Sequence, residues 1–418
     1  MTDIFHLSTL LHRTIFDRNG GRVGRVQDMV ARLGDAHPPV VGAVIRIDGR
    51  DHFVAIHEIT ELEQDRVTFE GRREDLRLFE RRPKEILLAE DLWTRHLIDV
   101  ARGQLIIAHE IELAKVAERW EVVGVDPSRR PLLRRIFGPP MGPRVRSGAI
   151  VDFASIEPFV GHVPTARLRI PYRKLTKLHP AQIADLVEHA SHEEGEEIIE
   201  AVGFDREFEA DVFEELNTAH RLEFLLDRSD TEAARLLARM EPDSAADLMS
   251  EIVAERRLAI LQHLPEGHQA KVRNLLAYDA ETAGRMMNPD FIAVPMTATV
   301  DEALDAVRVS NLPAASLEAV FVLDSEGRTA GVTSIATLLR ARGDDFALAV
   351  ARTNLTYACP RWDLHQVART MSDFNLSVLS VVDEEDEHMV GVVTVDDLLN
   401  ELVPQGWRRE FGTWKVEE

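Results

Sequence analysis

Eight apolar anchors recur across residues 178–276 at a spacing that a short helix and its turn can satisfy. Leu186, Ile199, Val212 and Leu225 lie 13 residues apart, and Leu236, Leu248, Ile260 and Val272 lie 12 apart. Pro180, Asp205, Thr218, Asp230, Pro242 and Glu266 stand near the unit starts, where a capping side chain or an N1 proline opens a helix. A helix this short cannot bury its apolar stripe alone, so neighbouring units must stack to share one core. The carboxylates are left facing outward.

Charge sharpens this picture. The 418 residues carry a formal net charge of −23, and residues 178–282 hold 9 Lys+Arg against 25 Asp+Glu, whereas residues 1–170 are nearly balanced at 26 against 25. Residues 283–418 hold 11 against 22. Such a chain lacks the lysines and arginines that neutralise phosphates in sequence-independent nucleic-acid binding. It suits cations or basic partners instead. Cys359 is the only cysteine, which excludes an intrachain disulfide and a cysteine-based zinc site and fits a reducing, cytoplasmic setting. No run of 18 consecutive apolar residues occurs, so no membrane-spanning helix is expected.

The first 137 residues contain a duplication at a constant offset of 82. Leu10 matches Leu92, Asp17 matches Asp99, Gly21 matches Gly103, Asp28 matches Glu110, Val41 matches Val123 and Gly42 matches Gly124. Apolar and polar residues alternate around glycine turns in both copies, which predicts short antiparallel strands forming two small β-barrels or one joint barrel. The phrase from Asp17 through Gly20, Gly21 and Gly24 to Asp28 resembles the PRC-barrel family; the second copy keeps the spacing but has Ile106 in place of Gly24. That resemblance implies a docking module. Asp28 and Glu110 read as carboxylates that close turns.

Six prolines within residues 138–171 read as a linker with one short ordered patch at 150–159, and the basic run Arg129–Arg130, Arg134–Arg135 before it reads as a solvated turn. After the acidic helices, a strand, helix, strand, strand, helix order runs twice. The strand-and-turn phrases Phe321-Val-Leu-Asp324 and Ser380-Val-Val-Asp383 are offset by 59. They resemble a pair of CBS motifs, which normally pack into one regulatory domain.

An acidic stack, then Ala283-Gly-Arg-Met-Met287, then paired CBS motifs closing on Gly391-Val-Val-Thr-Val-Asp-Asp-Leu-Leu399, is similar to the cytosolic part of MgtE-type magnesium channels. The likeness covers residues 172–404. It implies Mg²⁺ bound between the helical domain and the CBS pair, and a homodimer through that pair; the family's pore segment has no counterpart here. The resemblance carries Asp211, Asp243, Asp247, Asp363 and Asp397 onto magnesium positions, with Asn400 and Asn375 where further acids are expected. The chemistry agrees, since magnesium is a hard cation that takes carboxylate oxygens and keeps several waters. Asp243 and Asp247 are also four residues apart on one helix and so share a face. A solvated acidic face with helix caps is the competing reading of the same aspartates.

In the second CBS motif Gly391, Thr394 and Asp397 satisfy the ribose-binding pattern of such domains, implying an adenine nucleotide, whereas Thr337 replaces the carboxylate in the first motif. Ala319 and Leu376 stand where the family places aromatic residues against the base, so stacking is lost. No activated nucleophile, phosphate loop or histidine metal cage is present, and no enzyme is expected.

The expected fold is therefore multidomain α+β: small antiparallel β-barrels, a central all-α superhelix and an α/β CBS pair. Its boundaries are 1–88 and 89–137 for the barrels, 138–171 for the linker and 172–282 for the acidic helices. The CBS motifs occupy 283–345 and 346–404, and a tail with Trp407 and Trp414 occupies 405–418. The expected function is a magnesium-sensing regulator in which Mg²⁺ bridges the acidic helices and the CBS pair, the barrels docking a partner such as a separate cation transporter. The competing expectation is a nucleotide-responsive CBS adaptor with the acidic stack as scaffold.

Overall fold

The computed structural model describes residues 4–62, 67–71, 73, 76–117, 119–128, 150–159, 174–312 and 315–403, so the basic run at 129–135, most of the linker prolines and the 405–418 tail lie outside the described residues. Two compact units divide the chain, residues 1–215 and 216–418.

In the first unit the duplication appears element by element. Copy one opens with β1 (Ile4–His6), the helical turn α1 (Leu7–Leu10), β2 (Thr14–Asp17), β3 (Arg22–Arg32) and β4 (Val40–Ile47). It continues with β5 (Arg50–Ala55), β6 (Ile59–Leu62), β7 (Val67–Phe69) and β8 (Arg77–Leu78). The offset then brings β9 (Glu85–Leu87), a π-type turn at Leu88–Leu92, β10 (His96–Asp99), β11 (Gln104–Ile107), β12 (Glu110–Val116) and β13 (Arg119–Asp126). Gly103 turns the chain between β10 and β11 at φ +61°, a region where a Cβ is strained.

The copies exchange their first strands. β1 pairs with β12, Phe5 opposite Leu113, while β9 pairs with β3, Ala31 opposite Ile86. Residues of both copies, among them Leu10, Ile15 and Val26 with Ile86, Leu97 and Ile111, fill one continuous core. Of the two barrel arrangements expected, the joint body forms. The patch at 150–159 belongs to it rather than to a linker. β14 (Val151–Asp152) pairs with β13, β15 (Ile156–Pro158) pairs with β10, and Val151, Phe153 and Ile156 enter the core. Proline density concealed an alternating apolar pattern that a sheet edge can use.

Three helices of the acidic repeat, α2 (Pro180–His189), α3 (His192–Val202) and α4 (Arg206–Glu215), fall in this first unit. The His96 ring lies 3.1 Å from the Glu194 carboxylate, and Lys174 donates to the Ile156 carbonyl, so the sheets hold these helices directly.

The second unit opens with α5 (Thr218–Leu226), α6 (Asp230–Leu237), α7 (Pro242–Ser250), α8 (Ala254–His263) and α9 (Glu266–Leu275). Each of the eight anchors is at most 5% exposed, one per helix from α2 to α9, as the 12- and 13-residue spacing requires. Side-chain caps start several helices: Ser229 accepts from Glu232 N–H while the Glu232 carboxylate accepts from Ser229 N–H. After the short helix α10 (Ala283–Met286) come β16 (Ile292–Pro295), α11 (Val300–Val309), β17 (Ala319–Leu323), β18 (Thr329–Ser334) and α12 (Ile335–Arg340). The second round has α13 (Ala347–Val350), β19 (Tyr357–Ala358), α14 (Leu364–Phe374), β20 (Val378–Val382), β21 (Met389–Thr394) and α15 (Val395–Leu402). Two three-stranded sheets result, ordered β16-β17-β18 and β19-β20-β21, each with one parallel pair and one hairpin. Ala319 and Phe321 of one sheet bury against Met389 and Val392 of the other. Among the described residues no helix is long and apolar enough to cross a membrane.

Candidate metal centre

Helix α7 begins at Pro242, which fixes the first helical φ and leaves Glu241 at the N-cap and Asp243 in the first turn. Both carboxylates thus sit at the positive end of the helix dipole, a favourable place for negative charge. Asp243 is buried at 6% exposure. In the second CBS motif, Thr394 caps α15, and Asp397 reaches back to close the box: its Oδ2 accepts from Thr394 N–H at 3.0 Å and from the Thr394 hydroxyl at 2.7 Å. These two turns meet. One carboxylate oxygen each of Glu241, Asp243 and Asp397 lies within 4.8 Å of the others.

Three carboxylates this close repel by roughly 3 kcal/mol per pair at the effective dielectric of a protein surface. Asn288, itself buried, relieves part of that by donating from Nδ2 to Glu241 Oε2 at 2.9 Å. Burial pushes the Asp397 carboxyl above its usual range, against the pull of the Thr394 bonds. The donor set suits a hard divalent cation. Glu241, Asp243 and Asp397 would hold such an ion directly or through the waters it keeps, and it would supply positive charge between them.

The remaining sequence-derived candidates have other partners or other settings. Asp247 is on the same face of α7 as Asp243, but its Oδ1 accepts from Arg285 Nε at 2.7 Å, and Arg285 is only 4% exposed. A guanidinium already neutralises it. Burial raises the Asp247 pKa, and Arg285 holds it down. Asp363 is the N-cap of α14, its Oδ1 accepting from Gln366 N–H, so it acts as a helix cap. Asp211 is exposed on α4 in the first unit, its pKa raised by desolvation and by Glu207 and Asp205. Of the four candidates in the second unit, Asp243 and Asp397 come together. Glu241 and Asn288 are additions; the Glu-Pro-Asp order at a helix start was the signal for the first.

The other CBS half differs. Ser334 caps α12 and its hydroxyl lies 3.0 Å from that of Thr337, so two hydroxyls stand where Thr394 and Asp397 stand in the second half. Ala319, at the head of β17, offers no aromatic face.

Comparison with known proteins follows the same division. Residues 178–281 match the MgtE intracellular N domain, and residues 283–344 and 347–404 each match the CBS domain. The magnesium transporter MgtE of Thermus thermophilus is 36% identical over 134 residues, 32% of this chain and 30% of that protein. The magnesium transporter MgtE of Bacillus subtilis is 24% identical over 260 residues, 62% of this chain and 53% of that protein. The chain thus spans no more than about half the length of these relatives. The crystal structure of the cytosolic domain of the Mg²⁺ channel MgtE in complex with ATP superposes with a TM-score of 0.50 at 26% identity, covering 55% of this chain and 92% of that one. The soluble part of a magnesium transporter gives the same TM-score at 22% identity, over 55% and 90%, a likeness of fold. Residues 178–404 are an MgtE intracellular N domain followed by a pair of CBS domains.

Proposed function

We propose that this chain is a cytoplasmic magnesium-responsive regulator. Mg²⁺ bridges Glu241 and Asp243 at the head of α7 to Asp397 of the second CBS motif, and the bound state is passed to a partner. The convergence of those three carboxylates within 4.8 Å carries the reading. Support also comes from the relatives named as magnesium transporters and from the acid excess of residues 178–282. When bound, the ion would supply two positive charges that offset the mutual repulsion of the three carboxylates; the chain supplies hard oxygen donors, one of them on the buried Asp243, and the Asn288 amide that orients Glu241.

The duplicated sheets of the first unit serve as the docking module, for a partner such as a separate cation transporter. The CBS pair forms the homodimer contact: Val309, Leu339, Phe374 and Leu399 are all exposed on its helices, at 80%, 66%, 57% and 48%. Thermal melting of the full chain with and without millimolar Mg²⁺ tests the reading. A melting temperature raised by Mg²⁺ is the expected result, and an unchanged one overturns it.

A second reading, an adenine-nucleotide adaptor, draws on the relative solved with ATP and on the Thr394–Asp397 pair. The same Asp397 would then meet a ribose. Calorimetry with AMP, ADP and ATP separates the two: nucleotide heat lost in Asp397→Ala, with Mg²⁺ alone silent, favours the adaptor.

A further inference from the structure

The junction that carries the three carboxylates also contains a buried positive charge. Arg285, on the short helix α10, is 4% exposed and directs three N–H groups at three acceptors. Nε donates to Asp247 Oδ1 at 2.7 Å, Nη2 to the Ala246 carbonyl at 2.6 Å, and Nη1 to the Leu275 carbonyl at 3.2 Å. Two of these acceptors lie on α7 and the third ends α9. Around it, α10 is bonded to the second CBS motif by backbone: Ala283 N–H donates to Trp362 O and Gly284 N–H to Pro360 O, both at 2.8 Å. Just beyond, Asn288 and Val392 exchange backbone hydrogen bonds of 2.8 and 2.9 Å while the Asn288 amide holds Glu241.

We propose that Arg285 is a resident cation of this junction and the positioning residue of the metal centre. Its guanidinium neutralises Asp247 and ties α7 and α9 to the second CBS motif through α10, so Glu241 and Asp243 face Asp397 before any ion arrives.

The physical case rests on charge and geometry. Asp243 and Asp247 repel on one helix face, and removing the half-exposed Asp247 would leave the buried Arg285 guanidinium uncompensated. A guanidinium is always protonated and its fork fits several oxygens at once, so it neutralises Asp247 at every magnesium concentration. The acidic helices of the second unit are therefore fastened to the CBS pair at this point without metal, and Mg²⁺ adds to an assembled junction. The purpose assigned to Arg285 depends on the magnesium reading; the fastening does not.

The test uses the full chain in EDTA and in millimolar Mg²⁺, with amide hydrogen exchange across residues 242–250 and magnesium calorimetry. Wild type is protected in both solutions. Arg285→Gln loses protection in EDTA and regains it in Mg²⁺, with one further ion taken up per chain at the freed Asp247; Arg285→Lys restores protection in EDTA. Should Arg285→Gln fail to fold, Asp247→Asn decides: its uncompensated guanidinium lowers magnesium affinity roughly tenfold. Equal loss of protection in both solutions with unchanged stoichiometry, or unaltered affinity in Asp247→Asn, overturns the proposal. If wild type binds no Mg²⁺ while Arg285→Gln opens in EDTA, the magnesium reading fails and the fastening stands.

Discussion

Asp28 and Glu110, equivalent residues of the duplicated first unit, each accept hydrogen bonds from the helical turn of the other copy. Asp28 Oδ1 and Oδ2 accept from Ala89 and Glu90 N–H at 2.8 and 2.9 Å. Glu110 accepts from Ser8 through both its N–H, at 3.0 Å, and its hydroxyl. Ser8 and Glu90 are themselves 82 residues apart, so the bonds mirror the exchange of β1 and β9. Each copy lacks a cap that only the other supplies, and this is one reason the pair folds as a single body.

Burial pushes the Asp28 carboxyl up to about 7, with nearby Asp91 adding to the rise and the backbone bonds opposing it. A raised folded value favours the neutral acid, so its contribution to stability is full below the unfolded value of 3.8 and is lost as pH rises through about 7. Glu157 on β15, also raised to about 7 by burial, shares that slope. Asp28→Asn keeps an acceptor and removes the titration, so thermal melts from pH 4 to 8 should show a flatter profile than wild type. Asp28→Ala instead orphans the Ala89 and Glu90 N–H groups and costs about 2 kcal/mol at low pH.

The helical repeat allows a paired comparison. Leu248 is 2% exposed and Leu258 is 60% exposed on neighbouring helices. Denaturant melts should give a loss of about 3 kcal/mol for Leu248→Ala and under about 0.5 kcal/mol for Leu258→Ala. Equal losses would contradict the stacking described.

Gly391 opens the ribose-like pattern of the second CBS motif, yet its environment gives it a packing role. A Cβ there would meet Met287 Sδ at 2.8 Å and the Asn288 carbonyl at 2.9 Å. Gly391→Ala should therefore separate the α10 segment from β21, seen as faster hydrogen exchange at Asn288 and Val392 and as weaker magnesium binding. Normal exchange at both amides would show that the junction has slack.

Protons should compete with the ion. The Asp397 carboxyl is raised by burial, and a protonated acid does not ligate Mg²⁺. Magnesium affinity should fall as pH is lowered into the raised titration range of the Asp397 carboxyl, with proton release on binding measurable as a buffer-dependent heat. Affinity independent of pH in that range would place the ion away from Asp397.

Much of this was legible in sequence because the signals were periodic. The eight anchors located eight helices, and the CBS helices Val300–Val309, Ile335–Arg340, Leu364–Phe374 and Val395–Leu402 begin and end where apolar spacing and caps place them. Strand exchange was not legible: β1 and β9 are three residues each, and which sheet a short edge strand joins is decided by the tertiary fold. The carboxylate cluster was half legible. Asp243 and Asp397 could be aligned with a known pattern, but Asp247 was read as a ligand because nothing in its own helix reveals that Arg285, 38 residues later, folds back onto it. Asp363 was a cap by its position three residues before Gln366, a local cue outweighed by the resemblance.

The central claim is that Glu241, Asp243 and Asp397 form one magnesium centre, and calorimetric titration of Mg²⁺ into the full chain, Asp243→Asn and Asp397→Asn tests it most directly. The account predicts saturable binding to wild type in the millimolar range or tighter and its loss in both variants, although the two residues lie on different domains. Binding that survives either substitution unchanged, or none in wild type, would contradict it.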